Sequence, residues 1–175
     1  MEKVKADVVV INVDVYNSYF KKFIRANVFI TDGRIYFIDD EMEYEYEVSE
    51  EIEGTGKFMI PGLIDIHMHI ESSMMTPAAF CSYLVKCGVT TIVAEPHEIA
   101  NVAGIDSIYD MISDGENGPV DVYYGISSCV PSTTPEFETT GGIIGYDEMV
   151  KLKRHPKVAC VGEVMNFRQV IDENN

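Results

Sequence analysis

Hydrophobic periodicity changes once along these 175 residues, at Pro61-Gly62, and that change limits the folds open to the chain. Upstream, "ADVVVINVDVYN" and "KFIRANVFITDGRIYFIDDE" are rich in β-branched and aromatic residues, and Asp32-Gly33 between two apolar runs is a hairpin signal. In "EMEYEYEVSEEIEG", Met42, Tyr44, Tyr46 and Val48 alternate with Glu43, Glu45 and Glu47, the period of a strand with one wet face. The expectation is a small antiparallel sheet. Downstream, strands alternate with helices, which implies a parallel sheet built from βα units. A strand over 60–67 leads into a helix that starts at Thr76-Pro77, a cap followed by proline, and ends before Gly88. "GVTTIVAE" is the second strand, with a helix around 104–113 after it. "VDVYYGISSCV" is the third, followed by the loop "PSTTPEFETTGGIIG" and a short helix from 146 to about 154. "KVACVGEVM" is the fourth. The predicted class is α/β.

The first of these strands ends in "DIHMHIESS". Side chains alternate along a strand, so His67, His69 and Glu71 are expected on one face and Met68 and Ile70 on the other. Two imidazoles and a carboxylate at a strand end are the makings of a metal site. Polar residues collect at the other strand ends too: Glu95, His97 and Glu98 after the second, Ser127, Ser128 and Cys129 after the third, Glu163 and Asn166 after the fourth. That is the distribution of a (β/α) barrel enzyme, whose site lies at the C-terminal strand ends. An open doubly wound sheet would carry ligands there as well, but usually with a glycine-rich phosphate loop, and the sequence has none. Glu163 sits within apolar "ACVGEVMNF", where an unpaired carboxylate is costly, so a metal or charge partner is expected for it. Glu95 and Glu98 lie at a strand-to-helix turn, where a helix N-terminus alone favours carboxylates.

Charge narrows the partners. Twenty-nine acidic residues against 13 basic ones give a formal net charge of -16, which opposes a phosphate backbone or an anionic membrane but not a neutral small molecule. No nucleic-acid or membrane partner is expected. "MEKVKADVVV" lacks the apolar region and cleavage site of a secretory leader, and no apolar run approaches ~18 residues, so the expected location is the cytoplasm. Cys81, Cys87, Cys129 and Cys160 form no CxxC pair and are expected to be reduced thiols.

"PGLIDIHMHIESSMMTPAAF", "GVTTIVAEPHEIANVAG", "SCVPSTTPEFETTGG" and "VGEVMNF" together resemble the N-terminal part of the adenine deaminases of the amidohydrolase superfamily. The PGLID-HxH element alone marks the superfamily; "HIESSMM" with "EPHEIANV" is more specific. The resemblance implies that residues 1–57 are part of a small β-sandwich and that 58–175 are the first four βα units, the N-terminal half, of a metal-dependent (β/α)8 barrel. It implies hydrolysis of adenine to hypoxanthine and ammonia at a binuclear centre of manganese or iron. By the same resemblance His67 and His69 are metal ligands, and Glu163 is a catalytic carboxylate bridging two metals where many relatives use a carbamylated lysine. Lys157 lies at the wrong end of its strand for that role. His97 and Glu98 fall on the second-strand motif as catalytic candidates, and Glu71, Ser73, Glu95 and Asn101 are candidates for binding substrate. A full barrel needs ~250 residues. Residues 61–175 number 115. The chain is therefore expected to be a truncated part of an enzyme, inactive alone, with two further histidines and a proton-shuttling aspartate supplied by later strands. Open edges on the first and fourth strands predict a homo-oligomer. Two alternatives remain at this level: a metal-dependent amidohydrolase acting on a cyclic amide, or a noncatalytic piece that assembles with another chain.

Overall fold

The structure, a computed structural model, describes residues 3–134 and 136–172. The chain divides into two compact units between Pro61 and Gly62. The first is a sheet of β1 (Val4–Asn17), β2 (Lys22–Thr31), β3 (Arg34–Asp39), β4 (Tyr46–Glu53) and the two-residue β5 (Phe58–Met59). Its order is β3-β2-β1-β4, and β5 pairs with the far end of β1. That pairing carries the first unit four residues beyond position 57. Asp32 and Gly33 both take left-handed backbone, with φ of 51° and 68°, as a tight hairpin between β2 and β3 requires. Val9, Val28 and Phe29 are fully buried, and the Phe29 ring stacks on Phe37 with centroids 5.9 Å apart.

The expected antiparallel sheet is in fact mixed: β4 and β5 run parallel to β1. The reason lies in the link after β3. Asp39, 2% exposed, accepts the backbone N–H groups of Met42 (2.8 Å) and Tyr44 (3.3 Å). The link folds back, and β4 opens beside the start of β1, Val4 opposite Tyr46. Met42 and Tyr44 lie in this link, and only the second half of the alternating run is strand.

The second unit is a parallel sheet, β6 (Leu63–Met68), β7 (Val89–Ala94), β8 (Asp121–Ile126) and β9 (Val158–Val161), in sequence order. Helix α1 (Pro77–Leu84) starts after extended Thr76 with proline in its first turn, continues as a 3-10 turn to Cys87, and stops at Gly88, φ 80°. Helix α2 spans His97–Gly115 and so begins earlier than expected. Gly104 breaks it (φ 72°, ψ -157°) rather than opening it. The kink receives the long loop, whose Gly141 donates its N–H to the Asn101 carbonyl at 2.8 Å. The short helices α3 (Tyr146–Leu152) and α4 (Phe167–Ile171) flank β9 in sequence. β8 ends at Ile126 rather than running on to Val130, and β9 is four residues long. Ile92, Ala94, Tyr124, Leu152 and Cys81 are at the centre of the apolar core. Tyr124 donates its hydroxyl to the Met111 carbonyl at 2.7 Å, so its one polar atom is satisfied there. Among the described residues no helix is long and apolar enough to cross a membrane.

Candidate metal centre

The C-terminal ends of β6, β7, β8 and β9 meet through backbone hydrogen bonds that continue past the strands. Glu95 donates its N–H to the Met68 carbonyl (2.8 Å), and Gly162 donates to the Ile126 carbonyl (2.7 Å). These ties set where the next side chains emerge. His67 is the penultimate residue of β6, His69 lies just past its end, and Glu163 lies two residues beyond β9. β6 and β9 are the outer strands of the sheet. Three strand spacings of a flat sheet would separate them by about 14 Å. Yet His67 Nε2 stands 3.0 Å from Glu163 Oε1, and His69 Nε2 stands 3.8 Å from the same oxygen. The other oxygen, Glu163 Oε2, faces His97 Nε2 at 3.9 Å.

A hydrogen bond sets the tautomer of one of these rings. His69 Nδ1 lies 3.0 Å from the Glu95 carbonyl oxygen, which can only accept. Nδ1 therefore carries the proton, and a neutral His69 presents the Nε2 lone pair toward Glu163. A lone pair and a carboxylate oxygen facing each other repel unless a proton or cation lies between them. Ligand atoms of His67, His69 and Glu163, one from each, lie within 4.8 Å of one another, and so do ligand atoms of His69, His97 and Glu98. Imidazole nitrogen with carboxylate oxygen is a donor set for zinc, manganese or iron. The residues present fit a divalent ion.

The other predicted site residues have different surroundings. Glu71 does not share a face with His67 and His69, because the strand stops at Met68 and residues 71–73 form a 3-10 turn. Its Oε1 accepts the Ile99 N–H at 3.3 Å, and its Oε2 is buried with no hydrogen-bond partner among the described residues. Ser73 closes the same turn by donating to the Ile70 carbonyl at 2.6 Å. The Asn101 carbonyl accepts from Gly141 and from the Thr140 hydroxyl. Glu98 accepts the Ser72 hydroxyl at 3.0 Å in the first turn of α2. Glu163 is only part-buried; the fully buried carboxylate is Glu95, 1% exposed, whose two oxygens accept the Glu163 N–H at 2.9 and 2.8 Å. Lys157 pairs with Asp121 at 3.7 Å, at the opposite end of the sheet from Glu163. Asn166 donates to the Thr133 carbonyl at 2.9 Å.

Ser128, expected only as a strand-end polar residue, and Gly162, which sequence reasoning passed over, also build the site. Ser128 binds the Glu163 carbonyl twice, through its N–H (3.3 Å) and its hydroxyl (2.8 Å). Gly162 leaves the space that Glu95 fills: a Cβ built on it would overlap the Glu95 carboxyl group. A glycine directly before Glu163, inside an otherwise apolar run, was the available signal.

Comparison with known proteins gives the same picture at family level. Residues 58–173 match the Amidohydrolase family. An adenine deaminase from Clostridium perfringens is 46% identical over 171 residues, 98% of this chain and 30% of that protein. One from Lactobacillus delbrueckii subsp. bulgaricus is 44% identical over the same length, and adenine deaminase 2 from Shouchella clausii is 49% identical over 169 residues. The chain thus spans about 30% of the length of such relatives. Among solved structures, atrazine chlorohydrolase TrzN from Arthrobacter aurescens TC1, complexed with zinc, superposes with a TM-score of 0.59 at 16% identity over 88% of this chain and 46% of that one. A crystal structure of an adenine deaminase superposes with a TM-score of 0.50 at 19% identity, over 70% of this chain and 30% of that one. These superpositions speak for the fold.

Proposed function

The chain belongs to the amidohydrolase family, and from that premise we propose that residues 58–175 form the first four βα units of a (β/α)8 barrel that deaminates adenine to hypoxanthine and ammonia. The observation that carries this reading is the convergence of His67 and His69, from one edge of the sheet, on Glu163 from the other. Such convergence suits a sheet curled toward closure, with its site at the C-terminal strand ends. Residues 1–57 are the β-rich portion that accompanies it. The activity is assigned to an enzyme of the relatives' length, since the chain corresponds to about 30% of it.

His67, His69 and Glu163 would hold divalent metal, manganese or iron, with Glu163 offering one oxygen on each side. Bound there, a pair of divalent ions supplies Lewis acidity that makes water a competent nucleophile at neutral pH. In the reaction water replaces the exocyclic amine of adenine at its ring carbon, and the amine leaves as ammonia. His69, locked as the Nδ1–H form by the Glu95 carbonyl, keeps Nε2 free to ligate. On the α2 side His97 stands beside Glu163, and Glu98 offers a ligand atom close to those of His69 and His97. His97 and Glu98 are assigned to meet the purine and hold a proton for the departing nitrogen. The net charge of -16 leaves a neutral purine unopposed and disfavours nucleic acid and anionic membranes. Leu63, Ile64 and Ile66 on β6 are 51, 63 and 77% exposed, apolar surface suited to coverage by the rest of an enzyme of the relatives' length or by a second chain.

The test is metal content and ammonia release from adenine in the enzyme carrying this segment, wild type beside Glu163→Gln. Removing the charge between two cations is expected to cost the second ion and deamination together. A variant with two tightly held ions and normal turnover would overturn the assignment.

A further inference from the structure

Glu95 carries a carboxylate that the chemistry above does not use. It is 1% exposed at the end of β7, and among the described residues no lysine or arginine pairs with it. An uncompensated buried charge is expensive, so its partners indicate its task. Both oxygens accept the single N–H of Glu163, at 2.9 and 2.8 Å. Oε2 also stands 3.9 Å from His67 Nδ1. Gly162 packs against the carboxyl group so closely that a Cβ there would overlap it, and a Cβ on Gly125 would come within 3.8 Å of Oε2. A carboxylate walled in by two glycine backbones is out of reach of a purine. Its main chain is tied to the same site: the carbonyl takes the His69 Nδ1 proton and the N–H donates to Met68.

We propose that Glu95 is a positioning residue that aims Glu163, and through its carbonyl His69, at the divalent ion, and that it is not a contact for the substrate. The proposal rests on the reading that His67, His69 and Glu163 hold metal. Glu163 lies past the end of β9, after a glycine, where no strand ladder restrains the backbone. Its main chain is held instead from two sides. Glu95 takes the N–H, and Ser128 donates twice to the carbonyl. Without the first of these grips the peptide can rotate, and a small rotation there moves the carboxylate oxygens out of ligating position. Outer partners of this kind are typically worth ~10–100-fold in metal affinity.

Four variants of the enzyme carrying this segment decide the matter: Glu95→Ala, Glu95→Gln, Gly162→Ala and, as the ligand control, His67→Ala. Two quantities are read in each, the affinity for Mn2+ by calorimetry and the hydrogen-exchange rate of the Glu163 amide by NMR. The wild type is expected to bind Mn2+ and His67→Ala to lose it. Glu95→Ala should bind ~10–100-fold more weakly, with faster exchange at Glu163. Glu95→Gln should stay close to wild type in both, because the amide oxygen still accepts the N–H. Gly162→Ala should follow Glu95→Ala, since the added methyl displaces the carboxyl group. Wild-type affinity and exchange in Glu95→Ala would overturn the proposal. So would a Glu95→Gln variant that falls as far as Glu95→Ala, because charge rather than hydrogen bonding would then be at work. If the wild type binds no ion that His67→Ala removes, the metal reading fails on its own, and the exchange rates still decide whether Glu95 holds Glu163. Should Glu95→Ala not fold, the isosteric Glu95→Gln and Gly162→Ala carry the comparison.

Discussion

The inner and outer strands of the parallel sheet divide the labour. β7 and β8 are buried: Ile92, Ala94, Val122, Tyr124 and Ile126 are each no more than 4% exposed. β6 and β9, equally apolar in sequence, are open, with Ile66 77% and Val161 58% exposed. The candidate ligands stand on the open pair, His67 and His69 at β6 and Glu163 beyond β9. The inner pair contributes the residues that hold them, Glu95 after β7 and Ser128 after β8. Within this segment the buried side chains thus gather on the inner strands and the candidate ligands on the outer ones. The link between the two is a few hydrogen bonds past the strand ends.

Substitutions test this contrast. The largest effect is expected in the middle: Ile92→Ala removes a fully buried side chain and should destabilise by about 2–5 kcal/mol in denaturant unfolding. Tyr124→Phe should come next. It leaves the Met111 carbonyl without its 2.7 Å donor, at about 1–3 kcal/mol. Burial, helped by the negative charge of neighbours such as Asp114, holds the Tyr124 hydroxyl well above its usual ionisation range. A raised folded value means that this contribution is complete below about pH 10, the unfolded value. It is lost as pH climbs toward the folded one. Tyr124→Phe should therefore flatten the alkaline fall in stability, and an unchanged pH profile would remove that residue from the account. The smallest effect belongs to the margin: Ile66→Thr should shift unfolding by no more than about 0.5 kcal/mol. The same variant should weaken self-association in light scattering at rising concentration. A monomeric wild type would remove the oligomer, and an Ile66 cost equal to that of Ile92 would abolish the contrast itself.

Much of this was legible in one dimension because the signals are local. The Asp32-Gly33 hairpin, the Thr76-Pro77 helix start, the Gly88 stop and the four strands each depend on residues within a few positions of one another. The grouping of His67 and His69 at a strand end is local as well. Errors arose where a distant segment set the outcome. Glu71 leaves the common face because the chain turns at Ile70 and its carboxylate finds the Ile99 N–H, 28 residues away. β4 runs parallel to β1 because, once the link at Asp39 has folded back, it pairs with the start of the chain, Tyr46 opposite Val4.

The sequence by itself determined the α/β class, the single change of periodicity and the residue types able to bind metal, because propensity, capping and alternation act over one or two turns of chain. Only the tertiary structure decided which of those residues meet. Glu163 faces His67 across nearly a hundred positions of sequence because β6 and β9, at opposite edges, deliver their ends to one place. Glu95 is buried beneath Gly162 because β7 and β8 pack in the middle of that sheet. Such encounters depend on how strands order and curve. That is a property of the packed whole, and short-range pattern carries no record of it.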